Sequence, residues 1–342
     1  MRIRIVIFLF VALLLAFRAS ANCGTSTNVT CVQAVSAVHT SGVPAITISG
    51  ISAGDSIFVI GFSYNSVTGL STTPTSSAGN SYSNTGCPFT QGYEPWSVYW
   101  YCWKASGVAA GTDTVTFGTS NFVAWGIMAI EFSSLGTFTG DAKGSNHVNN
   151  AATLTATTGS VSGTDELALA IGVNTNSTAT TWTAGTNFTN AVNITNSSAF
   201  MAEGEWLENT SASGAQSCPI SWSPSFSGTT ENLCFTFKVT LPQCGSIVFS
   251  PEPGTYPSAQ NVALSSSGCS VICYTTNGTA PTESGNLCSG SSLTYSTPIS
   301  VPSTLTIKAL ATKTGWTDSP ITVGAFTIGA APPPIYRRVR QY

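Results

Sequence analysis

Short runs of β-branched and aromatic residues recur along the chain, each bounded by a cluster of Ser, Thr, Asn, Gly or Pro. No long segment repeats its apolar positions at the 3.6-residue spacing of a helix. The pattern predicts strands over 55–64, 98–104, 123–132, 166–173, 199–206 and 233–239. Between and within them the polar positions are filled mostly by Ser and Thr, which suit the outer face of a pleated sheet without long charged groups. The expectation is an all-β protein built from β-sandwiches.

A boundary is expected at Thr240-Leu241-Pro242-Gln243, where Pro242 cannot donate to a ladder and a new cysteine-bearing stretch follows. Two β-sandwich domains result: a larger jelly-roll-like one over 22–241 and a smaller Ig- or fibronectin-like one over 244–328. In the second, Asn277-Gly278 supplies two residues tolerant of positive φ for a tight turn. A tail over 329–342 opens with Gly329-Ala330-Ala331-Pro332-Pro333-Pro334, expected to run extended, and carries the basic cluster Tyr336-Arg337-Arg338-Val339-Arg340.

Residues 1–21 read as a signal peptide: Arg2 and Arg4 precede the apolar stretch Ile5 to Phe17, and Ala19-Ser20-Ala21 has the small-x-small pattern of a cleavage site. The apolar stretch is shorter than the roughly 20 residues of a membrane span, so a secreted or cell-surface product without a transmembrane segment in the mature chain is expected. With 42% hydrophobic and only 7% charged residues, the composition excludes intrinsic disorder. Leader and tail hold all six arginines, leaving five lysines against 14 acids and a net charge near −9. Such a body has no electrostatic footprint for nucleic acid.

Ten cysteines in an exported chain favour disulfides. No Cys-x-x-Cys occurs and His39 and His147 are the only histidines, so neither a metal centre nor a cofactor is expected. Six cysteines before the boundary allow 15 connectivities and the four after it allow 3. Local hairpin geometry favours pairs of sequence neighbours: Cys23 with Cys31, Cys87 with Cys102, Cys218 with Cys234, Cys244 with Cys269, and Cys273 with Cys288.

Two stretches carry candidate chemistry. On a strand, Glu203 and Glu205 share one face with Cα atoms about 7 Å apart, compatible with the ~5 Å carboxyl separation of a retaining glycosidase. The string Glu203-Gly204-Glu205-Trp206-Leu207-Glu208 is similar to the catalytic strand of laminarinase-like β-glucanases, with Gly204 and Glu205 in place of that family's apolar-Asp pair. The alternative is a solvent-facing strand. Along 98–103, alternation sends Val98, Trp100 and Cys102 to one face and Tyr99, Tyr101 and Trp103 to the other. If the cysteine face is the core, the second set forms a row of rings that could stack on sugars. The alternative is a strand covered on both faces. Asp141 with Asn146, or Asp165 with Glu166, lack the dense oxygen pattern of a calcium loop and read as solvated turns.

Phe249-Ser250-Pro251, Gly254-Thr255-Tyr256, Tyr274 through Thr282, Tyr295-Ser296-Thr297-Pro298-Ile299, Ile307-Lys308-Ala309 and Gly315-Trp316-Thr317-Asp318-Ser319 resemble, in order and spacing, the chitobiase/β-hexosaminidase C-terminal module. Asn277 stands where that family often has Asp. The resemblance implies a non-catalytic accessory domain in a carbohydrate context. Ala53-Gly54-Asp55, Ser77 through Tyr82, Gly107 through Asp113 and Ala129 through Leu135 look like a β-sandwich module of exported bacterial and phage proteins that has no assigned chemistry. The sequence is thus expected to encode an exported, non-catalytic glycan-binding or adhesive surface protein whose partner is a polysaccharide or cell-surface glycan. A retaining β-glycan hydrolase using Glu203 and Glu205 and a structural component of a surface layer or appendage are the alternatives.

Overall fold

The computed structural model describes residues 17–25, 28–39, 43–64, 73–85, 87, 98–118, 124–134, 136–149, 152–162, 166–174, 181–194, 201–209, 214–223 and 229–329. Every regular element among them is a strand, so the all-β expectation holds. No helix among the described residues is long and apolar enough to cross a membrane. The chain divides into two compact units, Met1–Thr240 and Leu241–Tyr342.

The first unit begins with β1 (Phe17–Thr25), β2 (Val29–His39), β3 (Ala45–Ile51), β4 (Ser56–Tyr64), β5 (Thr75–Ser76), β6 (Val98–Ser106), β7 (Gly111–Thr116) and β8 (Ala124–Ser134). It continues with β9 (Thr137–Asn149), β10 (Thr153–Val161), β11 (Glu166–Asn174), β12 (Thr181–Thr183), β13 (Thr189–Ile194), β14 (Met201–Asn209), β15 (Gly214–Ser223) and β16 (Thr229–Thr240). All six strands expected from the sequence are present.

These strands make two sandwiches of one plan. In the first, the five-stranded sheet β1-β2-β8-β4-β6 faces the three-stranded sheet β3-β7-β5. In the second, β13-β14-β11-β16-β9 faces β10-β15-β12. Apart from the edge strands β1 and β13, the order β2-β8-β4-β6 corresponds to β9-β16-β11-β14, and β3-β7-β5 to β10-β15-β12. Early and late strands interleave as in a jelly roll, so the jelly-roll character expected of the long region occurs twice within it. Even the irregularities repeat. The corresponding strands β2 and β9 both slip in register, between Cys31 and Gln33 on β2 and between Gly140 and Lys143 on β9.

Burial explains the two kinds of strand pattern. Ile46, Ile48 and Ile51 of β3 point inward between exposed neighbours, because the small sheets have one solvent face. Every residue of β11 is buried, because the large sheets are covered on both sides. Ile57 and Val59 pack on Ile46, Ile48 and Val115 inside the first sandwich. Ala168 and Ala170 pack on Leu154, Ile220 and the indoles of Trp182 and Trp222 inside the second. The opposite faces of the large sheets meet back to back, where Phe58 lies 4.6 Å from Phe237 and 5.3 Å from Phe138 between ring centroids. Four layers result.

The second unit contains β17 (Val248–Ser250), β18 (Gly254–Tyr256), β19 (Gln260–Ser265), β20 (Val271–Thr275), β21 (Thr282–Ser284), β22 (Leu287–Ser289), β23 (Leu293–Thr294), β24 (Ile299–Val301), β25 (Leu305–Thr312) and β26 (Thr322–Ile328). Sheet β17-β19-β24 and sheet β18-β26-β25-β20-β23 enclose Phe249, Val262, Ile272, Val301, Ile307 and Phe326. This is the Ig-like sandwich expected. At its Asn-Gly turn, Gly278 adopts φ 86° and Asn277 Oδ1 accepts from Thr279 N at 3.1 Å.

All five disulfides are those expected: Cys23–Cys31, Cys87–Cys102, Cys218–Cys234, Cys244–Cys269 and Cys273–Cys288. Cys218–Cys234 ties β15 to β16 and so staples the two sheets of the second sandwich. Residues 17–21, assigned to the signal peptide, continue into β1, which pairs with β2. Residues 1–16 and the tail over 330–342 lie outside the described residues.

Candidate functional site

The aromatic strand is core. Trp100 and Cys102 are 1% exposed, and on the other face Tyr101 is 3% and Trp103 4% exposed. Tyr101 and Trp103 pack with Val59, Ile127, Val115 and Tyr82 under the three-stranded sheet. The solvent-facing row of rings expected from alternation is therefore corrected. Alternation distinguishes two faces but not which are covered, and here a small sheet covers one and the second sandwich the other. The side chain of Tyr99 lies outside the described residues; its backbone pairs with Ser63.

Glu203 and Glu205 do occupy alternate positions of a strand, β14, opposite Gly172 and Ala170 of β11. Ala170 belongs to the core of the second sandwich, and a Cβ on Gly172 would come within 2.5 Å of Ile220 Cδ1. Ala170 and Gly172 therefore lie on the face covered by the small sheet. The side chains of β14 themselves lie outside the described residues.

Acidic residues that the sequence reading passed over are instead gathered inside the first unit. Asp113 is fully buried on β7. Its Oδ1 accepts from Ser76 Oγ at 2.8 Å and Ala78 N at 3.3 Å, and its Oδ2 from Asn80 Nδ2 at 2.9 Å and the Tyr82 hydroxyl at 3.3 Å. Burial by itself raises the Asp113 pKa, but these donors outweigh it and hold the carboxyl below its ordinary value. Burial and the Asp113 charge push the Tyr82 phenol up. Asn80 Oδ1 in turn accepts from Ala109 N at 2.9 Å, so the segments 77–82 and 107–113 are two halves of one polar staple.

Glu131, also fully buried, accepts from Gln33 Nε2 at 2.5 Å and Ser52 N at 2.9 Å. Asp55 lies beside it, its pKa raised to about 6 by burial, then by its hydrogen bond to Glu131 and that group's charge. A comparable pair occurs at the matching place in the second sandwich, where β11 opens. Glu166, 1% exposed, is raised to about 7 by burial and by the charge of Asp141 beside it. The solvated-turn reading of Glu166 is thus corrected, as is its pairing: the neighbour is Asp141, whose Oδ2 accepts from Ser162 N at 2.6 Å. Such depth leaves a substrate no access to Glu131 or Glu166, and these carboxyls organise sheet ends. An acid flanked by apolar residues, as in Ala129-Ile130-Glu131-Phe132, was the signal that the strand was buried on both faces.

On the second unit, Tyr274 of β20 and Tyr295 meet edge to face with centroids 6.5 Å apart, both half-buried on the rim of the core. Leu293, opposite Tyr274 in register, is 54% exposed. Trp316 is more constrained: Lys313 Nζ sits 4.2 Å from its ring centroid, and a Cβ on Gly268 would come within 2.6 Å of its indole. Tyr274, Leu293 and Tyr295 therefore form an aromatic-apolar patch of this unit that reaches solvent. The sequence offered the tyrosines only as members of a module pattern, because nothing in their spacing marks their rings as neighbours.

Residues 251–323 match the family model described as the Chitobiase/beta-hexosaminidase C-terminal domain. The match lies within the second unit and covers Tyr274 and Tyr295. No curated protein matches the chain.

Proposed function

We propose that this is an exported, disulfide-stapled, non-catalytic protein that attaches to a polysaccharide or cell-surface glycan. The match of residues 251–323 to a module named for chitobiase and β-hexosaminidase carries the reading. Five disulfides favour an oxidising, extracytoplasmic setting. Tyr274 and Tyr295, with exposed Leu293, offer apolar ring surface and phenolic edges of the kind that holds sugars. The scaffold of the first unit supports a carrier role, since the fully buried Asp113 and Glu131 are engaged by neighbouring donors.

The test uses the oxidised chain from residue 22 to residue 342, incubated with chitin, cellulose, β-1,3-glucan and peptidoglycan. Selective depletion onto one glycan, abolished by Tyr274→Ala or Tyr295→Ala with the far-UV spectrum intact, is the expected result. Release of reducing ends that Glu203→Gln and Glu205→Gln eliminate would establish the hydrolase instead. Absence of depletion across the panel would overturn glycan attachment and leave structural assembly at a surface.

A further inference from the structure

The back-to-back interface of the two sandwiches is lined by aromatic and aliphatic side chains, with one acid set among them. Glu231 on β16 is 5% exposed. Its Oε2 accepts from Trp100 Nε1 at 3.2 Å, across from β16 to β6 of the other sandwich, and its Oε1 has no hydrogen-bond partner. Trp100 is fixed in turn by Phe62, at 5.5 Å between ring centroids. Within its own sheet Glu231 stands opposite Val173 on β11 and His147 on β9. On the facing sheet the nearest charged position of β6 is Lys104, about 13 Å along the strand from Trp100, its ammonium turned to the Phe138 carbonyl.

A neutral carboxyl is tolerable in that setting, with an indole N–H on one oxygen and a proton of its own on the group. An ionised one is not: a buried carboxylate with a single donor loses most of its hydration and recovers little of it. The least disruptive remedy is for water to enter along the outer strand β6. We propose that Glu231 is a proton-operated latch between the two sandwiches, closed when its carboxyl is neutral and loosened at the β6–β16 contact when it is ionised.

Burial raises the Glu231 pKa to about 7, with the Trp100 bond opposing the rise. A raised carboxyl contributes stability that is complete below the unfolded value of about 4.3 and is lost as pH climbs through the folded value. The latch therefore holds in acid and releases around neutrality.

Amide hydrogen exchange on the intact oxidised chain at pH 5 and pH 8, corrected for intrinsic rates, reads the latch directly. Peptides covering 98–106 and 229–240 are expected to lose protection at least tenfold at pH 8, while peptides over 260–275 in the second unit serve as the internal reference. Glu231→Gln, a neutral mimic, should retain only the smaller loss that the raised carboxyls of Asp55 and Glu166 bring, several-fold below the wild-type one. Unchanged wild-type protection, or the same loss in Glu231→Gln, overturns the proposal. Should that variant not fold, Trp100→Phe separates Glu231 from the other buried acids: deleting the donor to the charged form must move the loss to higher pH, and an unmoved midpoint overturns the latch.

Discussion

Phe58 of β4 and Phe237 of β16 meet edge to face with ring centroids 4.6 Å apart, although 179 residues separate them in the chain. The contact joins the fourth strand of the first sandwich to the last strand of the second. A repeated sandwich could in principle be two beads on a string. This one is a single body, because each large sheet uses its second face to cover the other. Phe58 also meets Phe132 at 5.7 Å, so one ring is shared by both halves.

Phe58→Ala should therefore destabilise both sandwiches together, by about 3–5 kcal/mol. Denaturant unfolding followed by exchange should show strands of both halves losing protection in parallel. Loss confined to β2, β4, β6 and β8 would refute a shared core.

Trp103→Ala and Tyr101→Ala should behave as core truncations, each costing on the order of 3 kcal/mol or more. Urea midpoints should fall for both, whatever the glycan. A variant with wild-type stability and selectively weakened glycan attachment would return these rings to the surface.

Asp113→Ala removes the acceptor of five donors at once, those of Ser76, Ser77, Ala78, Asn80 and Tyr82. The expected loss is about 3 kcal/mol, with Asp113→Asn intermediate because it retains one acceptor oxygen. Limited proteolysis gives a local readout: cleavage within 75–82 should rise sharply in Asp113→Ala. Equal resistance to protease would contradict the staple.

The balance of buried acids gives a pH profile with a definite sign. Asp55 at about 6 and Glu166 and Glu231 at about 7 are all raised, so their contributions are complete near pH 4 and are lost as pH rises through 6 to 7. Asp113 is lowered, so its contribution is present above the unfolded value and is lost as pH falls through its folded value. Stability should peak in mild acid, with a Tm several degrees higher at pH 5 than at pH 8. A Tm that rises from pH 5 to pH 8 would be incompatible with three raised carboxyls.

What was legible in the chain was local. Strands such as Ser56–Tyr64 and Glu166–Asn174 announce themselves because central strands buried on both faces must be continuously apolar. The disulfide partners are sequence neighbours, and chain geometry alone brings residues such as Cys23 and Cys31 within bonding range. The second unit was recognisable because its turns require particular residues, Asn277-Gly278 among them. Polar strands such as Thr137–Asn149 were invisible, since an edge strand needs little apolar surface and reads as loop.

Tertiary structure decided everything that depends on what covers a face. Alternation told Tyr101 and Trp103 apart from Trp100 and Cys102, but only the stacking of four layers buried both sets. The carboxyls of Asp55 and Glu131, and of Asp141 and Glu166, are separated by tens of residues, so no spacing rule pairs them. The raised carboxyls of Asp55 and Glu166 follow from the burial that sheets built from distant parts of the chain create. The sequence by itself determined the strand content, the staples and the Ig-like module; the long-range packing of sheet on sheet decided which residues are core and which acids are buried.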